Sequence, residues 1–409
     1  MAWTAWNLWH HAPRIVSKSL MNSDSRAIAT DPFARRMALF YSGYFLAVGI
    51  QMPLFPAWLA AKGLDAAAIG AVLAVPLLMR VIAIPIGTRI ADRLGAPREV
   101  LIATAAATAV GYGAIALSNG LVAIVAAVAA ASLAAAPTMP LADAYALKGL
   151  EIRRRAYGPV RLWGSVAFVA ANLAGGVALD AIARRDLVWP IVAGFAVMAA
   201  TALRLAPLRH DAGPRPQPRS ASTGRPRLAG FLAVAAAASL VQASHAVYYG
   251  FSTLAWAAKG FDGVAIGALW ALGVGGEIVL LAMSARLPSR LGPLGLIGLG
   301  AAGGTVRWAA MALDPPAALL PLLQVLHGLS FGATHLGSVQ FLSRMMPGRY
   351  GATAQGDFST ILVIVMAAAT GLSGSLYGAL GDRAYWAMAL LAAAGGAVVL
   401  VARRIARSG

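Results

Sequence analysis

Long apolar runs alternate with short polar segments along nearly all of the 409 residues of the chain. Runs of roughly 20 apolar residues can cross the hydrocarbon core of a bilayer, which is about 30 Å thick. Barrel strands would be about 10 residues long and alternate in polarity, and that alternation is absent. A backbone in lipid must satisfy its own hydrogen bonds, so these runs are predicted to be helices. Twelve runs meet the description: 37–59, 66–88, 99–118, 121–147, 160–182, 188–206, 228–256, 264–285, 294–313, 316–342, 353–379 and 385–402.

The composition and the placement of charge agree with this topology. Hydrophobic residues make up 59% of the chain and charged residues 12%, whereas a soluble domain carries about 25% charge. If both termini are cytoplasmic, 26 of the 33 Lys and Arg residues lie on the cytoplasmic side, five on the opposite side and two within the membrane. This is the positive-inside distribution. The net charge of +18 therefore reports orientation, and we predict a multi-pass protein of the cell inner membrane with no nucleic-acid partner.

Four boundaries divide the chain. Residues 1–35 lack the apolar core and cleavage site of a secretory signal, so we predict an N-terminal cytoplasmic segment and favour Met21 as the true start. The segment 207–227, "PLRHDAGPRPQPRSASTGRPR", is rich in Pro, Arg and Ser and is predicted to be a cytoplasmic linker. It separates a first six-helix bundle, 36–206, from a second, 228–403, and a short tail follows at 404–409.

The two bundles repeat one another in sequence. "DAAAIGAVLAVPLLMRVIAIPIGTRIADRLG" (65–95) aligns without a gap on "DGVAIGALWALGVGGEIVLLAMSARLPSRLG" (262–292), with ten of 31 positions identical. The shared Asp, Ile-Gly-Ala and Arg-Leu-Gly are not explained by alanine-rich composition. "YGPVRLWGS" (157–165) and "YGATAQGDF" (350–358) form a second echo. We therefore predict two pseudo-symmetric six-helix bundles.

These motifs resemble a known family of transporters. A chain of six plus six helices with a parallel repeat is similar to the major facilitator fold, whose substrate site lies near the membrane midplane between the halves. "TRIADRLGAPR" (88–98) resembles the loop motif of that superfamily, although Thr88 stands where its leading Gly belongs. "PLADAYAL", "YGPVRLWGS", "WALGVGGEIVL", "LQVLHGLSFGATHL" and "GATAQGDFSTI" resemble the phenylpropionic acid/hydroxycinnamate permease branch. The resemblance covers about 36–403 and implies solute transport.

Two charges inside predicted spans occupy equivalent positions of the repeat. Arg80 lies in the second run and Glu277 in the eighth, at matching depth. A charge near the bilayer centre costs roughly 2.5–3.5 kcal/mol, so each is a candidate functional residue. We hypothesise that both face one central cavity, where Arg80 holds an anionic group or biases a nearby carboxyl, and Glu277 takes and releases the coupling proton. The alternative is a fixed salt bridge between the halves, which would oppose the movement that transport needs.

Other polar residues extend the candidate site. Arg307, in the ninth run, has an uncertain role, because it could pair with Glu277 and hold it ionised. His327 is a second candidate for proton coupling. Polar and aromatic residues recur at helical spacing and are predicted to line a watery cavity: Tyr41, Tyr44, Gln51, Gln242, His245, Tyr249, Gln324 and Phe331.

Charges toward the cytoplasmic helix ends are assigned to gating. Asp143 and Arg161, placed where the fourth run closes and the fifth opens, are predicted to pair as a latch within the first bundle. By analogy with the family, Asp92 and Arg93 are predicted to act as a latch between the bundles, with Asp92 facing the N-terminal end of the eleventh helix. Asp357 has no assigned role.

The sequence favours transport over other functions. It contains no P-loop, zinc motif or nucleophile elbow, so we predict neither an enzyme nor a cofactor or metal site. The leading hypothesis is a monomeric, proton-coupled secondary transporter that moves a small organic anion, such as an aromatic carboxylate, through the bilayer. A second hypothesis keeps the fold for a nucleoside or sugar symporter or a drug exporter. A third is a membrane sensor or scaffold that moves no solute.

Overall fold

The computed structural model describes residues 31–208, 228–345 and 350–407. The predictions for most of the N-terminal segment, most of the linker and the end of the tail fall outside these residues. Within them the protein is all-α, with no strand. The predicted all-α class is confirmed, whereas the predicted count of twelve spans is not fully confirmed.

Fifteen α-helices in the described residues account for the apolar runs. They are α1 Pro32–Ala61, α2 Ala66–Leu94, α3 Pro97–Leu117, α4 Leu121–Ala135, α5 Thr138–Ile152, α6 Tyr157–Ala181, α7 Val188–Leu203, α8 Leu228–Ala243, α9 Ala246–Ala258, α10 Gly263–Ala282, α11 Gly292–Ala312, α12 Leu320–Val325, α13 Thr334–Met345, α14 Tyr350–Leu380 and α15 Tyr385–Arg407. Short 3₁₀ turns occur at Arg184–Asp186, Ser284–Arg286, Ser289–Leu291, Ala317–Leu319 and Gly381–Ala384, and a π-helical turn spans Gly328–Ala333.

Ten helical segments of the described chain are long and apolar enough to cross a membrane. One of them, Ala354–Ile405, contains parts of both α14 and α15. The helix α11 is not among the ten. It carries the buried Arg307 and several glycines, which lower its mean hydropathy.

Three predicted spans are each divided into shorter helices. The fourth run breaks at Ala136–Pro137 between α4 and α5, where proline removes a backbone donor. The seventh run breaks at Ser244–His245 between α8 and α9. The tenth run passes through α12, the π-helical turn and α13. The second and third of these breaks lie in the polar cluster described below.

The described residues form two compact units with matching internal packing. The first contains 31–64, 79–208 and 256–271, and the second contains 65–78, 228–255 and 272–407 without 346–349. In the first unit α1 packs against α6 and α7, and α3 packs against α4 and α7. In the second, α8 packs against α14 and α15, and α11 packs against α13 and α15. These are equivalent pairs, so the sequence repeat corresponds to a repeat of packing.

The repeated motif also has repeated backbone geometry. Asp65 Oδ1 accepts a hydrogen bond from Ala68 N at 2.8 Å, and Asp262 Oδ1 accepts one from Ala265 N at 2.7 Å. Both carboxylates therefore cap a helix N-terminus. The glycines of each preceding turn, Gly63 and Gly260, have φ of +80° and +83°, a region that favours glycine. The sequence match in fact extends back through this turn, as "AAKGLD" (60–65) and "AAKGFD" (257–262).

Glycines of the motif bring helix backbones into direct contact inside each unit. In the second unit, a Cβ added to Gly70 of α2 would lie 2.8 Å from Gly374 N of α14. In the first unit, a Cβ added to Gly267 of α10 would lie 2.6 Å from Asn172 O of α6 and 3.0 Å from Gly176 Cα. Gly70 and Gly267 are equivalent in the repeat, so the Ile-Gly-Ala signature is explained by these two glycine seams.

Candidate functional site

A buried arginine is the centre of the polar cluster in the second unit. Arg307 of α11 is 0% exposed. Its guanidinium nitrogens lie 3.0 Å from His327 Nδ1, 2.8 Å from Gln324 Oε1 and 3.5 Å from Ser330 Oγ. All three partners are uncharged in this arrangement. Arg307 Nε and Gln324 Nε2 have no hydrogen-bond partner among the described residues.

Aromatic rings enclose the same guanidinium. Its carbon lies 4.5 Å from the ring centroid of Tyr248 and 4.3 Å from that of Trp308. Contacts of this kind stabilise a cation that has lost its water. Trp308 is held in place because its Nε1 donates to Ser244 Oγ at 2.9 Å. The cation is therefore positioned by one hydrogen-bonded edge and by aromatic rings.

The hydrogen bonds indicate the tautomers of the two histidines. His245 Nδ1 lies 3.0 Å from the Gln242 carbonyl and must donate to it, and in the neutral ring Nε2 accepts from Ser330 Oγ at 3.0 Å. His327 Nδ1 faces a guanidinium that can only donate. It is therefore the acceptor, and the ring proton is on Nε2. His327 keeps 6% of its surface exposed.

A π-helical turn positions the residues from the tenth run. His327 directly precedes the turn Gly328–Ala333. Its ring stacks on Phe331 with centroids 5.1 Å apart, and the Phe331 carbonyl accepts from Gln242 Nε2 at 3.3 Å. Gly328 lies so close to Gly276 O of α10 that a side chain there would collide with the backbone. A regular helical stripe was predicted here, and the widened turn replaces it.

Glu277 and Tyr249 border the cluster on its more exposed side. Both are half-buried, as is Phe331, whereas Gln242, His245 and Gln324 are buried. A Cβ added to Gly332 would lie 3.4 Å from Glu277 Cγ, so the glutamate packs over the π-helical turn. The proposed partnerships of Glu277 with Arg80 or Arg307 stay predictions.

A second buried cluster joins three helices of the first unit. Asp143 Oδ1 accepts hydrogen bonds from Tyr41 at 2.7 Å and from Tyr157 at 2.6 Å. Asp143 Oδ2 has no hydrogen-bond partner among the described residues. The Arg161 guanidinium carbon lies 3.9 Å from the Phe45 ring centroid and 5.3 Å from that of Tyr41. The structure thus brings Asp143, Arg161 and Tyr41 together and buries all three.

Two residues of this cluster lie in other surroundings than the sequence predicted. Asp143 is in the middle of α5, because that helix continues to Ile152, and does not mark the end of a helix. Tyr41 was predicted to line a cavity, but it is 0% exposed and its hydroxyl donates a hydrogen bond to Asp143. The latch role of Asp143 and Arg161 stays a prediction.

The remaining candidates are more accessible. Tyr44, Gln51 and Arg80 are half-buried. Asp92, Arg93 and Asp357 are exposed. The sequence did not indicate the link between Arg307 and His327, because the two residues belong to different runs and share no repeat position.

Comparison with known proteins identifies the family. The MFS_1 like family matches residues 34–388. The probable 3-phenylpropionic acid transporter of Escherichia coli K12 is 31% identical over 375 residues, which cover 88% of this chain and 95% of that protein. The maltose permease of Geobacillus stearothermophilus is 28% identical over 329 residues, covering 79% and 82%.

The fold is also that of solved transporters. The crystal structure of the nucleoside transporter NupG superposes with a TM-score of 0.75 at 16% sequence identity, covering 91% of this chain and 98% of that one. At this identity the likeness concerns the fold alone. The family match over most of the length, the repeat of packing and the membrane-spanning helices agree, and the chain belongs to the MFS_1 like family of major facilitator transporters.

Proposed function

We propose that this transporter is a proton-coupled symporter of a small organic anion, an aromatic carboxylate such as a phenylpropanoid acid. It works by alternating access, as a monomer in the cell inner membrane with both termini cytoplasmic. The observation that supports this most is the Arg307 cluster. A cation is 0% exposed there, with His327 and Gln324 as uncharged hydrogen-bond partners and rings around it.

The cluster favours an anionic, aromatic solute. A buried charge is costly unless it has partners, and Arg307 Nε and Gln324 Nε2 remain without a described acceptor. Tyr249 and Phe331, which are half-buried, offer ring faces to an aromatic solute. Arg80 keeps its predicted role of holding an anionic group. The similarity to a protein named as a probable 3-phenylpropionic acid transporter supports the same class.

The hydrogen bond between Arg307 and His327 suggests how a proton is coupled. His327 Nδ1 can accept from Arg307 only while that nitrogen carries no proton. Protonation of His327 therefore breaks the 3.0 Å bond and places two cations side by side. Binding of an anion relieves that repulsion, so proton and anion favour each other's binding. Glu277, which packs over the same turn, is the proposed group through which the proton enters and leaves.

Alternating access requires helices to separate and meet again. The glycine seams, Gly70 with Gly374 and Gly267 with Gly176, allow backbones to approach without interlocking side chains. We propose that these seams open and close in each cycle. Asp92 and Arg93 retain their proposed role as a latch at the cytoplasmic ends.

Uptake into proteoliposomes under an imposed pH gradient tests the proposal. We expect 3-phenylpropionate uptake to rise with the inward proton gradient in the parent protein. His327→Gln keeps a hydrogen-bond acceptor but cannot titrate, and His335→Gln removes a histidine from the same predicted span as a matched control. Protein-free liposomes give the uptake of neutral acid that crosses the bilayer alone. Beyond that rate, the gradient should cease to drive uptake in His327→Gln and Glu277→Gln and continue to drive it in His335→Gln. Equal gradient dependence in all four proteins would overturn the coupling scheme.

A neutral solute is the second candidate, favoured by the similarity to a maltose permease. In that case Arg80 serves proton coupling and not the solute, so Arg80→Ala would spoil gradient dependence and leave solute binding intact. Thermal stabilisation by maltose or a nucleoside, with none by aromatic acids, would support this alternative. A ligand at 100 times its Kd adds about 2.7 kcal/mol of stability. A scaffold that moves no solute would show neither stabilisation nor uptake.

A further inference from the structure

A crevice of about 890 Å³ opens at one end of the first unit. Its walls come from the start of α1, the start of α3, the first part of α6 and the end of α7. Four arginines line it: Arg35, Arg36, Arg98 and Arg204. We infer that this crevice binds the headgroup of an anionic phospholipid from the cytoplasmic leaflet, a ligand distinct from the transported solute.

The arginines are placed for an external anion. Arg35, Arg36 and Arg204 are exposed. Arg98 is fixed in the wall, because its Nε donates to Leu205 O at 2.7 Å and its Nη1 lies 3.3 Å from Glu99 Oε1. Guanidinium groups bind phosphate oxygens with paired, charge-assisted hydrogen bonds.

Helix stability does not account for Arg35 and Arg36. Both lie near the N-terminus of α1, where the helix dipole favours negative side chains and disfavours cations. Asp31 already caps this end by accepting from Phe33 N at 2.9 Å. Two exposed cations beside that cap are unfavourable for the helix, and an anion bound next to them would offset this effect.

The apolar part of the crevice favours a lipid over a free phosphate as the ligand. Trp163 is 50% exposed, Leu203 65% and Leu39 39%, and all three line the crevice with the arginines. Tryptophan is enriched at the level of lipid headgroups, and the leucines suit the glycerol and upper acyl chain. Basic pockets between membrane helices on the cytoplasmic side are typical sites for anionic headgroups.

The neighbouring segments of this chain do not complement the positive charge of the crevice. The residues 209–227, which follow the crevice in sequence, carry five arginines and one aspartate. Residues 1–30, which precede it, carry three Lys or Arg and one aspartate. Both segments share the sign of the crevice, whereas anionic phospholipid has the opposite sign.

Quenching of Trp163 fluorescence tests the inference in lipid nanodiscs. The full chain is reconstituted in phosphatidylcholine with increasing fractions of brominated phosphatidylglycerol or brominated phosphatidylcholine. Subtracting the signal of Trp163→Phe isolates this residue from the other tryptophans. One arginine near an anionic headgroup is worth about a fivefold preference. Two such contacts already multiply to about 25-fold, so we expect half-maximal quenching at no more than about a tenth as much phosphatidylglycerol as phosphatidylcholine.

Substitutions distinguish a built site from general attraction to anionic lipid. The combined variant Arg35→Gln, Arg36→Gln and Arg204→Gln should bring the two lipids within about twofold, since it removes three of the cations that set the preference. The control Arg184→Gln with Arg185→Gln changes two exposed arginines that do not line the crevice and should keep the parent's preference. Equal quenching by both lipids in the parent overturns the inference, whatever the fate of the variants. Loss of the preference on adding inorganic phosphate would identify free phosphate as the ligand and also overturn it.

Discussion

Gly267→Ala places one methyl group where two helix backbones already touch. The added Cβ would lie 2.6 Å from Asn172 O, 3.0 Å from Gly176 Cα and 3.2 Å from Gly176 N. All three are backbone atoms, so no side chain can rotate away and the helices α6 and α10 must move apart. Overpacking of this kind costs about 1–3 kcal/mol.

A second glycine of the same helix provides the matched control. Gly275 of α10 has nothing within 4 Å of an added Cβ. Both substitutions gain the same helix propensity, about 0.5–1 kcal/mol for Gly to Ala. The difference between the two variants therefore isolates the overpacking term of about 1–3 kcal/mol.

Thermal unfolding of the purified variants in one detergent measures this difference. We expect Gly275→Ala to match or exceed the parent Tm and Gly267→Ala to fall several degrees below it. Gly70→Ala, the repeat equivalent, should behave as Gly267→Ala does, because its Cβ would lie 2.8 Å from Gly374 N. If Gly267→Ala is as stable as Gly275→Ala, the seam is not a tight backbone contact and the reasoning is refuted.

Three further substitutions test single contacts by the same Tm measurement. Asp262→Ala removes the cap on Ala265 N and should lower the free energy of unfolding by about 1 kcal/mol. Asp262→Asn keeps an acceptor and should retain most of that stability. An unchanged Tm in the alanine variant would contradict the role of Asp262 as a cap. Tyr157→Phe removes one of the two phenol donors to Asp143. The buried carboxylate then has fewer hydrogen bonds, so the free energy of unfolding should fall by about 1–3 kcal/mol. A gain in Tm would mean that the carboxylate does not depend on this donor. Trp308→Phe removes the Nε1 hydrogen bond to Ser244 and should cost about 1 kcal/mol or more, whereas Trp189→Phe, an exposed tryptophan, should leave the Tm unchanged.

Much of the fold was accessible from sequence because the bilayer restricts it. A long apolar run in lipid has essentially one solution, the helix, and the placement of Lys and Arg gave the predicted orientation. The repeat was detected through Asp65, Gly70 and their equivalents, and the structure supplies the reason: a helix cap and a backbone seam occur in each unit. The breaks inside runs were missed, because apolar content does not report a local change in helix geometry.

The candidate site was less accessible. Side chains were assigned to a cavity from helical spacing. That spacing shows which residues share one face of a helix, but it does not show which residues pack against that face. Arg307 and His327 meet because α11 packs against the π-helical turn, and neither run carries a signal for the other. Tyr41 was assigned to the cavity, yet its hydroxyl donates a hydrogen bond to an aspartate on α5. Contacts between distant segments decide such roles, and a single sequence does not record them.

The measurement that tests coupled anion transport most directly is proton movement driven by the solute. Proteoliposomes that enclose a pH-sensitive dye receive 3-phenylpropionate on one side with no imposed gradient. Protein-free liposomes give the acidification that arises when the neutral acid crosses the bilayer alone. We predict faster acidification of the lumen in the presence of the parent protein, and none beyond the protein-free rate with His327→Gln. Acidification at the protein-free rate in the parent, alongside solute entry that is faster than in protein-free liposomes, would contradict proton coupling.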